Sequence, residues 1–167
     1  MTVSMNWDII DELQSDWNRQ RPDLDPEPMG VVLRIQALAK ILGDQTAEKL
    51  QLYDLQWWQY DVLSSLRRKG EPFIMAATEL ADTSMLTSGA MTNRIDRLEQ
   101  DQLVRRVKDN NDLRRVLVQL TKKGLTLIEG ATEARFESAM EALGSLNKQQ
   151  IESLSDLLRL VLITQEP

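Results

Sequence analysis

Apolar residues recur at spacings of three and four along most of this chain, and at a spacing of two over one short stretch. Trp7, Ile10, Leu13 and Trp17 form the first stripe and predict a helix from Val3 to about Gln20. Pro22, Pro26 and Pro28 interrupt the pattern within RPDLDPEP, predicting a stiff loop. Val31, Ile35, Leu38 and Leu42, widened by Val32 and Ala39, predict a second helix from about Met29 to Leu50. A third, from Leu52 to Arg68, carries Leu55, Trp58, Val62 and Leu66. It ends where Gly70 offers a cap and Pro72 prevents continuation. The adjacent Trp57 and Trp58 read as core and interface filler more than as a binding platform.

A short helix from about Ala76 to Asp82 and a turn at Thr83 to Leu86 lead into LTSGAMTNRIDRLE. Read as a helix, that stretch puts Met91, Ile95 and Leu98 on one face. Gly89, Thr92, Asn93, Asp96 and Gln100 lie opposite, with Arg97 at the edge, and Thr87 or Ser88 is available as the N-cap. Small, hydrogen-bonding residues at the start of a helix suit entry into a DNA major groove, and helix, short turn, helix is the spacing of a helix-turn-helix. An ordinary amphipathic surface helix fits this stretch alone equally well.

The residues that follow separate the two readings. Leu103, Val104 and Val107 predict a strand, Asp109-Asn110-Asn111-Asp112 a turn, and the alternation of Val116, Val118 and Leu120 a second strand. Lys108, Arg114 and Arg115 surround the tip of this hairpin. A basic hairpin directly after a helix-turn-helix is a wing, able to lie along phosphates and reach a minor groove. Thr121 then caps a helix from Lys122 to about Leu143, and Asn147 with Gln150 forms a capping box for a last helix. The stripe of that helix, Ile151, Leu154, Leu158 and Val161 with Leu157 and Leu162 beside it, is long enough to call for a partner chain.

Charge sharpens the picture. The 167 residues carry a net charge of −6, which taken whole disfavours nucleic acid. Between Arg94 and Lys123, however, nine Lys/Arg face five Asp/Glu, a basic segment on an acidic body. Cysteine and histidine are both absent, which removes disulfides, thiol nucleophiles, the usual zinc sites and a histidine base. With no nucleophile elbow or phosphate-binding glycine loop, no enzyme, catalytic residue, metal or cofactor is expected. No apolar run approaches the length of a membrane span, and Asp8, Asp11 and Glu12 stand where a signal peptide would be apolar. A cytoplasmic protein is expected.

Over essentially its whole length the chain resembles the MarR family of winged helix-turn-helix repressors. LTSGAMTNRIDRLE from Leu86 and the wing segment DLRRVLVQLTKKG from Asp112 to Gly124 carry the likeness. The string WNRQRPDLDPEPMGV, from Trp17 to Val31, is similar to the urate- and phenolic-responsive branch typified by PecS and HucR, whose members have an extra first helix. That resemblance implies a ligand site at Trp17, Asp61, Arg94 and Arg106. The chain departs from the family at Asn111 and Leu113, which stand where the family wing usually has a glycine and a further arginine. Asn tolerates the glycine-like backbone, and the lost cation should weaken phosphate attraction.

One part of this can be derived from the helix itself. Arg94 lies about 60° from Met91 at ~3.6 residues per turn, along the flank of the buried face. A half-buried arginine there needs an anionic partner, and Asp61 on a neighbouring helix could supply it. A fixed ion pair and a ligand-operated switch both fit. In the switch, an aromatic anion stacks on Trp17, is held by Arg106 and competes for the Asp61–Arg94 pair.

The fold expected is mainly α with a small β-hairpin wing: a dimeric winged helix-turn-helix. Residues 1–52 and 125–167 would supply dimerisation helices, and residues 53–124 the DNA-binding lobe. The function expected is a ligand-responsive repressor, a homodimer on a palindromic double-stranded operator, released by a small aromatic anion such as urate or a phenolic acid. Thr87, Ser88, Gly89, Thr92 and Asn93 face bases and adjacent phosphates, Arg97 a phosphate. Arg114, then Arg115, make the wing contacts, with Asp112 orienting Arg114. The alternatives are a winged-helix protein-interaction module without sequence-specific DNA binding, and a small-molecule enzyme or binding protein.

Overall fold

The computed structural model describes residues 7–109, 112 and 115–165, arranged in two compact units, residues 1–45 and 46–167. In the first unit, α1 spans Ile9–Gln20. Asp8 caps it, its carboxylate accepting hydrogen bonds from the amides of Ile10 (2.8 Å) and Asp11 (3.0 Å), and the Asp11 carboxylate accepts one from the amide of Asp8. This capping box corrects the expected start: Trp7 lies before the helix, outside its stripe.

The helix α2 spans Glu27–Gln51, two residues earlier than its stripe suggested. Pro28 sits in the first turn, where a missing amide hydrogen costs nothing, so it opens the helix and does not break the chain before it. Arg34 of α2 binds Asp8 at 2.9 Å and Asp11 at 2.8 Å, tying the two helices together. That guanidinium holds the Asp8 carboxyl below its ordinary value of 3.8. Ile10 is buried, but Leu13 and Trp17 of α1 and Val31, Ile35 and Leu38 of α2 remain exposed along the stripes that the sequence predicted.

The second unit begins within the last turns of α2. Leu52 to Gln56 form a turn, with Asp54 at φ +53°, so α3 is Trp57–Arg68 and not the longer helix expected. Leu55 is buried all the same, supplied from the turn. After Gly70, at φ +81°, comes a strand that the sequence pattern missed, β1 (Ile74–Ala76). At three residues it is too short to show a period. The remaining elements are α4 (Ala77–Thr83), α5 (Ser88–Gln100), β2 (Val104–Lys108), β3 (Val116–Leu120), α6 (Lys122–Ala142) and α7 (Lys148–Ile163).

The expected hairpin is therefore part of a three-stranded antiparallel sheet of order β1-β3-β2. Val104 pairs with Leu120, Arg106 with Val118 and Lys108 with Val116, while Met75 of β1 pairs with Val118 from the other side. Val104, Val118 and Leu120 point into a core built with Val62, Leu63 and Leu66 of α3, Leu80 of α4, and Ile128 of α6. Gly124 marks the tightest approach: a Cβ there would lie 2.0 Å from the carbonyl oxygen of Leu103. The glycine thus lets α6 pack against the entrance of β2. Thr121 caps α6 and Asn147 caps α7 in a capping box with Gln150, as their sequence signatures predict. Yet α7 buries none of its residues within the protomer.

Candidate nucleic-acid interface

The helix α5 is held from behind. Met91, Ile95 and Leu98 are almost wholly buried, matching the predicted stripe. Thr87 is its N-cap, with Oγ1 accepting from the Ala90 amide at 3.3 Å. The four-residue connection from α4 includes Met85 at φ +51° and returns the Leu86 amide to the carbonyl of Ala81 at 2.9 Å. This is the predicted helix-turn-helix.

The opposite face is open. Thr87, Ser88, Gly89, Thr92, Asn93 and Arg97 are all exposed. A Cβ at Gly89 would meet nothing within 4 Å, so a backbone surface is available there for close approach. Thr92 Oγ1 donates back to the Ser88 carbonyl at 2.8 Å, and the residue stays exposed with a methyl group of the kind that can meet a thymine methyl. Helix N-termini also present unpaired amides to anions, so the first turn of α5 suits phosphate as well as base edges.

The wing sheet brings further cations near its ends. Arg105 reaches across to Gln119, its register partner, with Nη2 at 2.6 Å from Oε1. Arg115 is exposed and lies 3.8 Å from the Asp109 carboxylate. Arg114, the first wing contact expected from the sequence, lies outside the described residues, as do Asn110, Asn111 and Leu113.

The residues expected to serve a ligand take partners that the sequence did not specify. Asp61 does not pair with Arg94. Its Oδ2 accepts from Ser84 Oγ at 2.8 Å, so α3 pins the turn before α5. Arg94 is half-buried along the flank as derived, but its guanidinium lies over the Trp58 ring, 5.6 Å from the centroid. An indole face is a partner for a cation without a countercharge. Two tryptophans in a row were the available signal. The other, Trp57, stacks on Tyr60 and carries Arg135 of α6 at 4.9 Å from its ring centroid.

Arg106 is also engaged. It forms ion pairs with Asp96 at 2.5 Å and with Glu99, both on α5. Burial pulls its pKa down, but the hydrogen bonds it donates to those two carboxylates outweigh it and the net shift is upward. Asp96, which the sequence places on the face opposite the apolar stripe, has this specific partner. Trp17 is half-exposed on α1 in the first unit. Among the described residues no His/Cys/Asp/Glu cluster could hold a metal ion, and no helix is long and apolar enough to cross a membrane.

Comparison with known proteins gives a consistent picture. Residues 55–116 match the MarR family. The chain is 30% identical over 149 residues to the HTH-type transcriptional regulator PecS of Dickeya dadantii, covering 89% of this chain and 90% of that protein. It is similar to a cysteine-to-serine mutant of MarR from E. coli solved with operator DNA, at 26% identity and TM-score 0.68, covering 87% of this chain and 97% of that one. The fold alone is shared with Sco3205 of Streptomyces coelicolor, solved with DNA, at 24% identity and TM-score 0.74, with coverage of 86% and 91%.

Proposed function

The chain belongs to the MarR family of DNA-binding transcriptional regulators, and on that premise we propose that it is a homodimeric, ligand-responsive repressor. The observation that carries the DNA reading is the two-sided α5, its back fully buried and its outer face free and polar. Thr87, Ser88, Gly89, Thr92 and Asn93 read bases and adjacent phosphates, and Arg97, Arg114 and Arg115 contact phosphates. Residues 53–124 form this lobe, while residues 1–52 and 125–167 form the dimer. The exposed apolar faces of α1, α2 and α7 support the dimer, because a protomer alone leaves them in water. A two-fold dimer implies a palindromic operator with half-sites ~10 bp apart. Footprinting on the upstream intergenic DNA should give two symmetric protected half-sites; a single unpaired patch would contradict the dimer.

The effector is a small aromatic anion such as urate or a phenolic acid, recognised by Trp17, Asp61, Arg94 and Arg106. An indole and two arginines have suitable chemistry, and Asp61 and Arg94 each act on α5, one through Ser84 and one through Trp58. The ligand must bind the DNA-incompetent state more tightly, or it shifts nothing. Urate or a phenolic acid should release bound DNA, and Asp61→Asn and Trp17→Ala should blunt the release. If both respond like wild type, the effector acts elsewhere.

The net charge of −6 favours one second reading, a winged-helix module that binds protein and not DNA. Absence of any mobility shift with upstream DNA below micromolar protein would select it.

A further inference from the structure

Within α5 the two arginines, Arg94 and Arg97, are matched by two carboxylates, Asp96 and Glu99. A helix of zero net charge gains little from the phosphates, and bare carboxylates beside DNA are repelled by it. Arg106 meets both carboxylates from the sheet. Its Nη2 donates to Asp96 Oδ1 at 2.5 Å, its Nη1 donates to Glu99 Oε2, and its backbone amide donates to Glu99 Oε1 at 2.9 Å. The planar guanidinium presents its donors in a fixed fork that spans both carboxylates, a geometry that a compact, rotatable ammonium does not hold. The amide bond adds direction: β2 is an edge strand, and Glu99 occupies an edge donor there. Opposite Arg106 in the register stands Val118, which is fully buried, so the fork is anchored to the core of the lobe.

We propose that Arg106 is a positioning residue for DNA binding: it locks the wing sheet to the second half of α5 and neutralises Asp96 and Glu99, without itself touching DNA. This rests on the DNA-binding reading and adds a condition to the effector reading. An effector anion that took Arg106 would have to break the fork, freeing the wing and exposing two negative charges on the DNA-facing helix.

The test is fluorescence anisotropy with an upstream operator fragment, comparing wild type, Arg106→Gln, the pair Asp96→Asn with Glu99→Gln, and all three together. Arg106→Gln should weaken binding by about tenfold or more at low salt, since like charges then face the phosphates. Adding the two carboxylate substitutions should recover a substantial part of that loss. The triple variant should keep the wild-type salt slope within about half a unit, because no phosphate contact is lost. Arg106→Lys should fall between wild type and Arg106→Gln. Unchanged affinity in Arg106→Gln would overturn the proposal. So would a loss that the carboxylate substitutions do not relieve, with a slope shallower by about one unit, which marks a direct phosphate contact. If wild type itself fails to bind, the DNA reading fails separately, and hydrogen exchange decides the fork. Arg106→Gln must then speed exchange in the second half of α5 and leave α3 unchanged; unaltered α5 exchange overturns it.

Discussion

Two helices of this protein carry apolar stripes of the same kind and meet opposite fates. Met91, Ile95 and Leu98 of α5 are at most 1% exposed, whereas Ile151, Leu154 and Leu158 of α7 are each at least 36% exposed. Both stripes are equally legible in the sequence. The difference is that α5 has α4 and the sheet to pack on inside its own lobe, while α7 buries none of its residues in the protomer. A stripe therefore specifies a face, and only the rest of the fold says whether that face is already covered. In this protein the covered stripe fixes the back of α5, and the uncovered one is the face on which the proposed dimer rests.

Truncation should separate the two most sharply. Leu98→Ala should cost about 2–5 kcal/mol of unfolding free energy in denaturant melts, the range for opening a cavity in a packed core. Leu158→Glu should instead lower the mass seen by light scattering from two protomers to one. A Leu158→Glu protein that remains a dimer would remove α7 from the association, and a Leu98→Ala protein as stable as wild type would contradict the packing of α5.

Gly124→Ala probes the lobe at its closest backbone approach. The added methyl meets a carbonyl oxygen 2.0 Å away, so α6 or β2 must shift, and a loss of about 1–3 kcal/mol is expected. Gly89→Ala, with open space around it, should leave stability within about 0.5 kcal/mol of wild type while disturbing DNA binding.

The smallest effect belongs to the first unit. Because Arg34 holds the Asp8 carboxyl below 3.8, the contribution of that contact is complete above that value and is lost as pH falls through the lowered one. Acid titration of thermal stability should show this loss in wild type and less of it in Asp8→Asn. An identical acid limb in the two proteins would show that the Asp8–Arg34 contact does not contribute.

Much of the fold is legible because its signals are local. Thr121, Asn147 and Gln150 cap the helices that their positions announce, and the stripe of α5 predicts its buried face residue by residue. Boundaries shifted where a cap or a proline has two readings, as at Asp8 and Pro28. The strand β1 was missed because its pairing with β3 is a long-range choice that three residues cannot encode locally. At the site, periodicity placed Arg94 on the flank of α5 but could not choose its partner. Asp61 and Trp58 both stand on α3, and the structure gives Arg94 the indole and gives Asp61 the hydroxyl of Ser84. Arg106 was identified as a functional arginine by resemblance alone. Nothing in the spacing of Asp96 and Glu99 announced that both would turn to it, because that contact joins a helix to a strand.

If α5 and the wing bind DNA from an otherwise acidic protein, salt tests that binding most directly. Anisotropy with the upstream operator fragment should show log affinity falling linearly with log salt, by about 0.9 units for each phosphate neutralised, which amounts to several units in all. A flat salt response, or no binding below micromolar protein, would contradict it.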